Sequence, residues 1–483
     1  MKKLYITTAI DYVNGDPHLG HAYEKVLADV IARYYRAKLG PEQVRFQGGT
    51  DEHGSKNYRA AREAGQDPAP FTARQSQKFY ALREKLGVSW DDFIQTSDQE
   101  RHWPAAQEMW RRLEASGDIY KQGYKGLYCE GCEAFKMERE IVGGRCVLHP
   151  SRELERVEEE NWFFRLSKYQ KPLLEHYRKH PEFVWPDYRR TEILNLIESG
   201  LEDVSFSRPK SNLPWGVPVP SDDSQVMYVW CDALTNYISA LGFPDETKLE
   251  EWWGEGTEVI HVIGKDILRF HAALWPAMLL SAGLPLPNTI FVHGFIHTSA
   301  GKLSKSEGNL LDPFELARRY GPEAVRYFLL SQIPVGQDGE FELDRFEEVY
   351  NAALANNLGN LVTRVYSMID RYLDGQAPSG KVALTQRGPS PDELMASFKL
   401  DDFCRAILEL SDGVNKALER SEPWKQTSGA EAQRQSLGSA HLAVQEIGRL
   451  LGPFLPETSE RIKSFVKDGR VELQPPLFPR LER

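Results

Sequence analysis

Residues 3–21 read Lys3-Leu4-Tyr5-Ile6-Thr7-Thr8-Ala9-Ile10-Asp11-Tyr12-Val13-Asn14-Gly15-Asp16-Pro17-His18-Leu19-Gly20-His21. Residues 3–9 make a short apolar run of the kind that forms a buried strand. The turn-rich Asn14-Gly15-Asp16-Pro17 follows, and then a long helical pattern places Val26, Leu27, Val30, Ile31 and Tyr34 on one face. Gly40-Pro41 stops that helix, and residues 44–46 begin a second strand that ends at Gly48-Gly49. Strand, helix and strand in this order predict a parallel sheet of the doubly wound, Rossmann-like α/β type.

Working outward, the alternation holds over residues 1–115 and breaks over residues 116–225. That second stretch carries a cysteine cluster, many aromatics and the Pro-rich exit Pro209, Pro214, Pro218 and Pro220, so it reads as an insertion into the sheet domain. The alternation resumes at Tyr228, with strand-like residues 259–263 and 289–296 separated by a helix through residues 269–280. From residue 346 the chain is helical almost throughout, apart from a Gly/Pro/Ser-rich link between Asp374 and Asp392. A chain of 483 residues is too long for one core and divides into roughly three or four domains.

The composition, 41% hydrophobic and 27% charged, is that of a globular protein, and no run approaches the ~20 apolar residues of a membrane span. Met1-Lys2-Lys3 runs straight into an apolar segment, which leaves no room for a signal or transit peptide and makes the cytoplasm the expected compartment. The net charge of −11 argues against sequence-blind nucleic-acid binding. It leaves room for a shaped, specific RNA site.

Two motifs carry phosphate chemistry. Pro17-His18-Leu19-Gly20-His21 lies where the first strand hands over to the first helix, the place where open parallel sheets bind ligands and where a helix N-terminus offers N–H groups. His18 and His21 can reach one phosphate chain, and Gly20 leaves a flat patch for a base. Lys302-Leu303-Ser304-Lys305-Ser306, about 280 residues downstream, puts two lysines among small hydroxyl residues in a loop after Gly301. Such charges stabilise a breaking phosphate bond. Taken alone, the first motif is equally a helix start with two incidental histidines, and the second an exposed polar loop.

Of five cysteines, Cys231 and Cys404 stand alone and read as core residues. The others belong to Cys129-Glu130-Gly131-Cys132 and, thirteen residues on, Cys146-Val147-Leu148-His149. A Cys-x2-Cys with a Cys-x2-His pair supplies four ligands for a closed tetrahedral zinc site, and Gly143-Gly144 suits the turn before the second pair. One structural zinc ion held by Cys129, Cys132, Cys146 and His149 is therefore expected. A nearby side chain can take the place of His149.

Together, in this order and at this distance, the two phosphate motifs resemble the paired "HIGH" and "KMSKS" signatures of class I aminoacyl-tRNA synthetases, with Leu19 and Leu303 as conservative departures. Further segments resemble the methionyl branch of that class: Ala9-Ile10-Asp11-Tyr12-Val13-Asn14-Gly15, Gly49-Thr50-Asp51-Glu52-His53-Gly54, Tyr228-Val229-Trp230-Cys231-Asp232-Ala233, and Gly264-Lys265-Asp266-Ile267 with Phe270-His271. The knuckle looks like the single-zinc version of that branch.

The resemblance implies a methionine–tRNA ligase that uses ATP, with magnesium, to form methionyl-adenylate and then charges initiator and elongator tRNA. It implies that His18, Gly20, His21, Lys265, Asp266, Lys302, Ser304 and Lys305 hold ATP, with His18, His21, Lys302 and Lys305 acting on its phosphates. Ile10, Tyr12, Trp230, Ala233, Tyr237, Ile267 and His271 would line an aromatic and aliphatic methionine pocket, with Asp51 on the substrate ammonium. Leu234 departs from the proline that some members carry there.

It also implies an all-α C-terminal anticodon-binding bundle in which Asn360 and Arg364, four apart on one helix face, bond base edges while Trp424 stacks on a base. The implied division is residues 1–115 and 226–295 for the two halves of the catalytic domain, 116–225 for the zinc-knuckle insertion, 296–345 for the loop and stem-contact region, and 346–483 for the bundle. No further dimerising barrel follows the bundle, so a monomer is expected. A cysteine or branched-chain synthetase is the competitor within the class: the insertion is small for an editing domain, and the knuckle lies away from the pocket. A non-catalytic tRNA-binding protein is the competitor outside it, and both intact signatures count against that.

Overall fold

The computed structural model describes residues 2–129, 134–136, 140–147, 149–298, 301–302, 312–378, 388–427 and 429–482. The chain divides into two compact units: Met1–Pro17, Leu39–Ala81 and Trp90–Val292 form one, and His18–Lys38, Leu82–Ser89 and His293–Arg483 the other.

The first unit is built on a seven-stranded sheet in the order Val184–Trp185, Thr289–His293, Thr257–Gly264, Lys3–Thr8, Val44–Asp51 and Asp11–Tyr12, with Asp92–Gln95 also on Val44–Asp51. Lys3–Thr8 runs parallel to Thr257–Gly264 (Lys3 opposite Thr257) and to Val44–Asp51 (Leu4 opposite Val44). From Leu4 to Thr8 every residue is buried, as expected of a central parallel strand covered on both faces. The second strand runs two residues beyond the glycine pair, to Asp51. Its Gly49 is required by packing: a Cβ there would lie 2.4 Å from the Ile94 carbonyl oxygen and 2.7 Å from Ile10 Cγ2.

The change of rhythm after residue 115 is a change from parallel to antiparallel pairing. Ile119–Cys129 and Glu155–Phe164 form a long hairpin-like pair, flanked by Val204–Ser205 and Ala134–Lys136. Two small sheets accompany it, Ile141–Val142 with Arg145–Cys146 and His149–Glu153, and Ser207–Pro209 with Asp222–Met227 and Pro218–Val219. Val184–Trp185, within the same stretch, returns to the parallel sheet beside Thr289–His293.

In the second unit the Leu19–Leu39 helix buries Leu19 and every residue from Ala22 to Ala32. A small sheet orders Gly301–Lys302, Ile296–Thr298 and Gly339–Glu340. Helices follow at Pro313–Tyr320, Pro322–Gln332, Leu343–Val349, Asn360–Tyr372, Pro391–Ala396, Leu400–Ser421, Glu431–Leu451 and Pro456–Ser464, with a π-helical segment at Tyr350–Gly359. A two-stranded hairpin, Val466–Lys467 with Arg470–Val471, follows the last of these helices. Among the described residues no helix is long and apolar enough to cross a membrane.

Candidate active site

In the first unit the residues named for the methionine pocket gather at the carboxyl ends of three neighbouring parallel strands. Lys3–Thr8 leads to Ile10 and Tyr12, Val44–Asp51 ends on Asp51, and Thr257–Gly264 leads into the turn Lys265–Ile267. This is where loops leave an open α/β sheet and ligands bind. Tyr12 sits opposite Asp51 in the short parallel pair Asp11–Tyr12, and the Lys56 ammonium lies 4.9 Å from the Tyr12 ring. Asp51 is buried, while Asp266 is exposed on its turn.

The pocket wall is aromatic. Trp230, on the short helix Val229–Leu234, stacks on Phe270 with ring centres 3.9 Å apart and planes within 7°. His271 stands edge-on to Trp230, at 6.1 Å and 86°. His271 Nδ1 lies 3.0 Å from the Ile267 carbonyl, which can only accept, so the ring proton is on Nδ1. His271 Nε2 is then the acceptor for the Tyr237 hydroxyl at 2.6 Å. The Tyr237 ring lies over His261 at 4.1 Å, and its carbonyl accepts from the Tyr5 hydroxyl at 2.8 Å. Trp275 Nε1 donates to His261 Nε2 at 3.3 Å, which leaves His261 Nδ1 to donate to Thr7 Oγ1 at 2.7 Å. Burial, with His271 nearby, holds His261 well below the usual histidine range. Two imidazoles whose Nδ1 protons are placed by these contacts therefore fix the Tyr237 side of the candidate pocket.

One feature of this wall is absent from sequence reasoning. The Asp232 carboxylate lies between two buried histidines, with His53 Nδ1 at 2.6 Å from one oxygen and His102 Nε2 at 2.6 Å from the other. Burial alone would raise the Asp232 carboxyl, but His53 and His102 more than offset that and bring it down to about 2. His53 and Asp232 lie inside segments that resemble the family, yet the three residues are 130 and 179 positions apart and show no spacing. The only signal was an acid placed within the apolar run Tyr228-Val229-Trp230-Cys231-Asp232-Ala233.

In the second unit His18 and His21 stack at 3.7 Å with planes 20° apart. The His18 backbone N–H donates to His21 Nδ1 and the Gly20 N–H to His18 Nδ1, both at 3.1 Å. Both Nδ1 atoms thus accept, which puts each ring's proton on Nε2, the nitrogen suited to donate to a phosphate oxygen. Gly20 is the residue this turn needs, since a Cβ would come within 2.9 Å of the His18 ring. The Leu19–Leu39 helix that follows has no acid in its first turn. Inside it Glu24 binds Lys25 at 2.9 Å and His293 at 3.1 Å; burial would raise the carboxyl, but these two contacts outweigh it and hold it below its usual range.

Lys302 is placed by its backbone, opposite His297 in the small sheet. Leu303, Ser304 and Lys305 lie outside the described residues. On the Asn360–Tyr372 helix Asn360 is exposed, and the Arg364 guanidinium lies 4.8 Å from the Trp424 ring centre. Trp424 itself belongs to the single turn Pro423–Lys425, ahead of the Glu431–Leu451 helix.

Cys129 and Cys146 are 0% and 1% exposed, although Val142 and Val147 in the same insertion are 71% and 54% exposed. Cys129 pairs with Ala134 across a hairpin, and Cys146 with His149 across another. Cys132 and the His149 side chain lie outside the described residues, and among the described residues no group of three or more His, Cys, Asp or Glu side chains is set to hold a metal.

The family model "tRNA synthetases class I (M)" matches residues 4–153 and 144–366. The chain is 43% identical over 476 residues to the methionine–tRNA ligase of Thermosynechococcus vestitus, covering 95% of this chain and 88% of that protein. It is 42% identical over 478 residues to that of Thermotoga maritima, covering 95% and 74%. Among solved structures, Mycobacterium tuberculosis methionyl-tRNA synthetase in complex with methionyl-adenylate superposes with a TM-score of 0.91 at 37% identity, over 99% of this chain and 100% of that one. The apo form of the same enzyme gives 0.84 at 34% identity, over 100% and 99%. With similarity of this extent along nearly its whole length, the chain belongs to the methionyl branch of the class I tRNA synthetases.

Proposed function

We infer that the protein is a methionine–tRNA ligase, and the observation that carries this is the aromatic pocket at the carboxyl end of the sheet. The Tyr237 hydroxyl is engaged with His271, so the pocket meets a side chain with the Trp230, Tyr237 and His271 rings and with aliphatic carbons from Ile10, Ala233 and Ile267. Such a surface suits a polarizable thioether, which gains from contact with ring edges and needs little hydrogen bonding. Asp51 is the anchor for the substrate ammonium.

In the first step the methionine carboxylate attacks the α-phosphorus of ATP. The bond from that phosphorus to the bridging oxygen breaks, giving methionyl-adenylate and pyrophosphate. His18 and His21, through Nε2–H, and Lys302 and Lys305, through their ammonium groups, stabilise the charge on the phosphates. Gly20 and Ser304 flank the nucleotide, and Lys265 and Asp266 hold the rest of it, Asp266 on the ribose hydroxyls. Magnesium bound with ATP would supply charge neutralisation on the phosphates. In the second step the 2′-hydroxyl of the terminal adenosine of tRNA attacks the acyl carbon and AMP leaves. Positioning and charge carry both steps.

The finer assignments follow the same reading. Residues 1–115 and 226–295 form the catalytic domain, 116–225 the insertion, 296–345 the stem-contact region and 346–483 the anticodon-binding helices. Asn360, Arg364 and Trp424 read the anticodon, a role supported by the Arg364–Trp424 contact. Cys129, Cys132, Cys146 and His149 would hold one zinc ion that shapes the insertion; the burial of Cys129 and Cys146 in a segment that exposes Val142 and Val147 supports this. The enzyme acts as a cytoplasmic monomer.

Amino-acid-dependent ATP–pyrophosphate exchange across the standard amino acids tests the reading. Exchange with methionine alone is the expected result. Exchange with cysteine or a branched aliphatic amino acid would move the pocket assignment to another synthetase, and no exchange would make this a tRNA-binding protein without catalysis.

A further inference from the structure

The His53–Asp232–His102 cluster lies beside the pocket but contributes no atom to the chemistry derived above. All three residues are at most 1% exposed. Asp232 sits on Val229–Leu234 between Trp230 and Ala233, and His53 sits two residues after Asp51. The carboxylate therefore ties the element that carries the pocket wall to the strand end that carries the ammonium anchor. The strand end is held tightly in other ways as well. Asn57 Nδ2 donates to the Asp51 and His53 carbonyls at 2.8 and 2.9 Å, and Trp215 Nε1 donates to the Glu52 carbonyl at 2.5 Å. None of those bonds reaches Val229–Leu234; the His53–Asp232 bond does.

The two histidines are not equivalent. His102 Nδ1 lies 2.9 Å from Ser239 Oγ, and that hydroxyl also lies 3.2 Å from the Asn236 carbonyl. A hydroxyl can donate or accept, so His102 Nδ1 keeps a partner in either tautomer, although the Asp232 carboxylate, an acceptor, calls for the proton on Nε2. His53 has no such freedom. Among the described residues nothing hydrogen-bonds its buried Nε2, so a proton there would be a stranded donor. His53 must keep its proton on Nδ1, and a proton on Nδ1 needs an acceptor on Val229–Leu234. Only a group that accepts on the His53 side meets that need.

We propose that Asp232 is a positioning residue for amino-acid selection, which sets the distance between the Asp51 anchor and the Trp230–Ala233 wall through the tautomer-locked His53. The proposal rests on the methionine reading of the pocket. It places the effect on the amino acid and not on ATP, because neither ring of the cluster belongs to the phosphate motifs.

The test compares His53→Leu, His53→Asn, His102→Gln and Asp232→Asn in ATP–pyrophosphate exchange, with methionine binding followed separately by tryptophan fluorescence. Asn places an N–H where His53 Nδ1 stands, and Gln places one where His102 Nε2 stands. His53→Leu should raise the methionine KM about tenfold or more, while the ATP KM stays within about twofold. His53→Asn should bring the methionine KM back to within about threefold of wild type, and His102→Gln should stay there too. Asp232→Asn should remain folded, since its amide can donate to His102 and its carbonyl accept from His53; it serves as the readout if His53→Leu does not fold, with a methionine KM a few-fold higher.

Equal loss in His53→Leu and His53→Asn would overturn the proposal. So would a parallel fall in kcat and in both KM-defined affinities that tracks the folded fraction, or an unchanged methionine KM in both His53→Leu and Asp232→Asn. A wild-type protein that neither binds nor exchanges methionine would overturn the methionine reading itself, and this role with it. That result is distinct, because it appears before any variant is made.

Discussion

At the scale of single residues the pocket depends on which nitrogen carries a proton. The Tyr237 hydroxyl is 2.6 Å from His271 Nε2, and both side chains are 1% exposed. Tyr237→Phe keeps the ring over His261 but takes away the donor that this Nε2 accepts. The loss of such a buried partner costs about 1–3 kcal/mol. The expected outcome is a methionine KM raised roughly tenfold with little change in the ATP KM, measured by pyrophosphate exchange. The identities of these residues were legible in the sequence because they stand in runs that resemble the family, such as Tyr228-Val229-Trp230-Cys231-Asp232-Ala233. Their protonation was not, because it is decided by the Ile267 carbonyl and by the Trp275 indole, neither of which a linear motif connects to the ring it orients. His102 had no signal at all, since its partner is 130 residues away.

At the scale of elements the sequence carries periodicity well and three-dimensional partnership poorly. The helix after the first strand and its stop at Gly40-Pro41 follow from pattern alone, and the helix ends at Leu39. The single turn that carries Trp424 follows from Glu422-Pro423 less directly: Glu422 adopts a left-handed φ of 42°, which ends the Leu400–Ser421 helix and swings the tryptophan toward Arg364. That contact belongs to no motif. It makes a prediction for the proposed anticodon role: Trp424→Ala should lower aminoacylation of tRNA by about tenfold or more, the loss expected of a base-stacking platform worth ~1–3 kcal/mol. Methionine-dependent pyrophosphate exchange, which needs no tRNA, should stay within about twofold in the same variant. The proposed zinc knuckle makes a second prediction at this scale. Metal analysis of the purified protein should find about one zinc per chain, and Cys146→Ser should lose it, with the insertion becoming open to limited proteolysis before the sheet unfolds.

At the scale of the whole molecule, the contact-based division places His18–Lys38 in the same unit as His293–Arg483, whereas sequence rhythm groups that helix with the first strands. The difference has a visible cause in Arg326, which is fully buried. Its guanidinium meets Asp29 of the Leu19–Leu39 helix at 2.8 Å and donates to the Phe454, Pro453 and Leu86 carbonyls at 2.8, 3.1 and 3.3 Å. Asp29 is held in turn by Arg33 at 2.8 Å and by the Ser89 N–H at 2.7 Å. One side chain thus joins three separate stretches of chain, and periodicity has no means of showing that, because an arginine at position 326 looks like any helical surface residue. Removing it takes the larger charge partner from a buried carboxylate, which keeps only Arg33 and Ser89, and the donor from three carbonyls. Arg326→Met should therefore cost about 3–5 kcal/mol in chemical denaturation at neutral pH. Asp29→Asn combined with Arg326→Met should cost clearly less than the sum of the two, by roughly 0.5–3 kcal/mol, because they share one network. The pH dependence has a definite sign. Burial would raise the Asp29 carboxyl, but Arg326 and Arg33 outweigh it, so the folded-state value lies below the ordinary one. A depressed acid stabilises the fold fully above its unfolded value, near about pH 4, and loses that contribution as pH falls through the folded value. The penalty of Arg326→Met should accordingly be largest at neutral pH and shrink as pH falls below about 4, without vanishing, since the three carbonyls lack their donors at any pH.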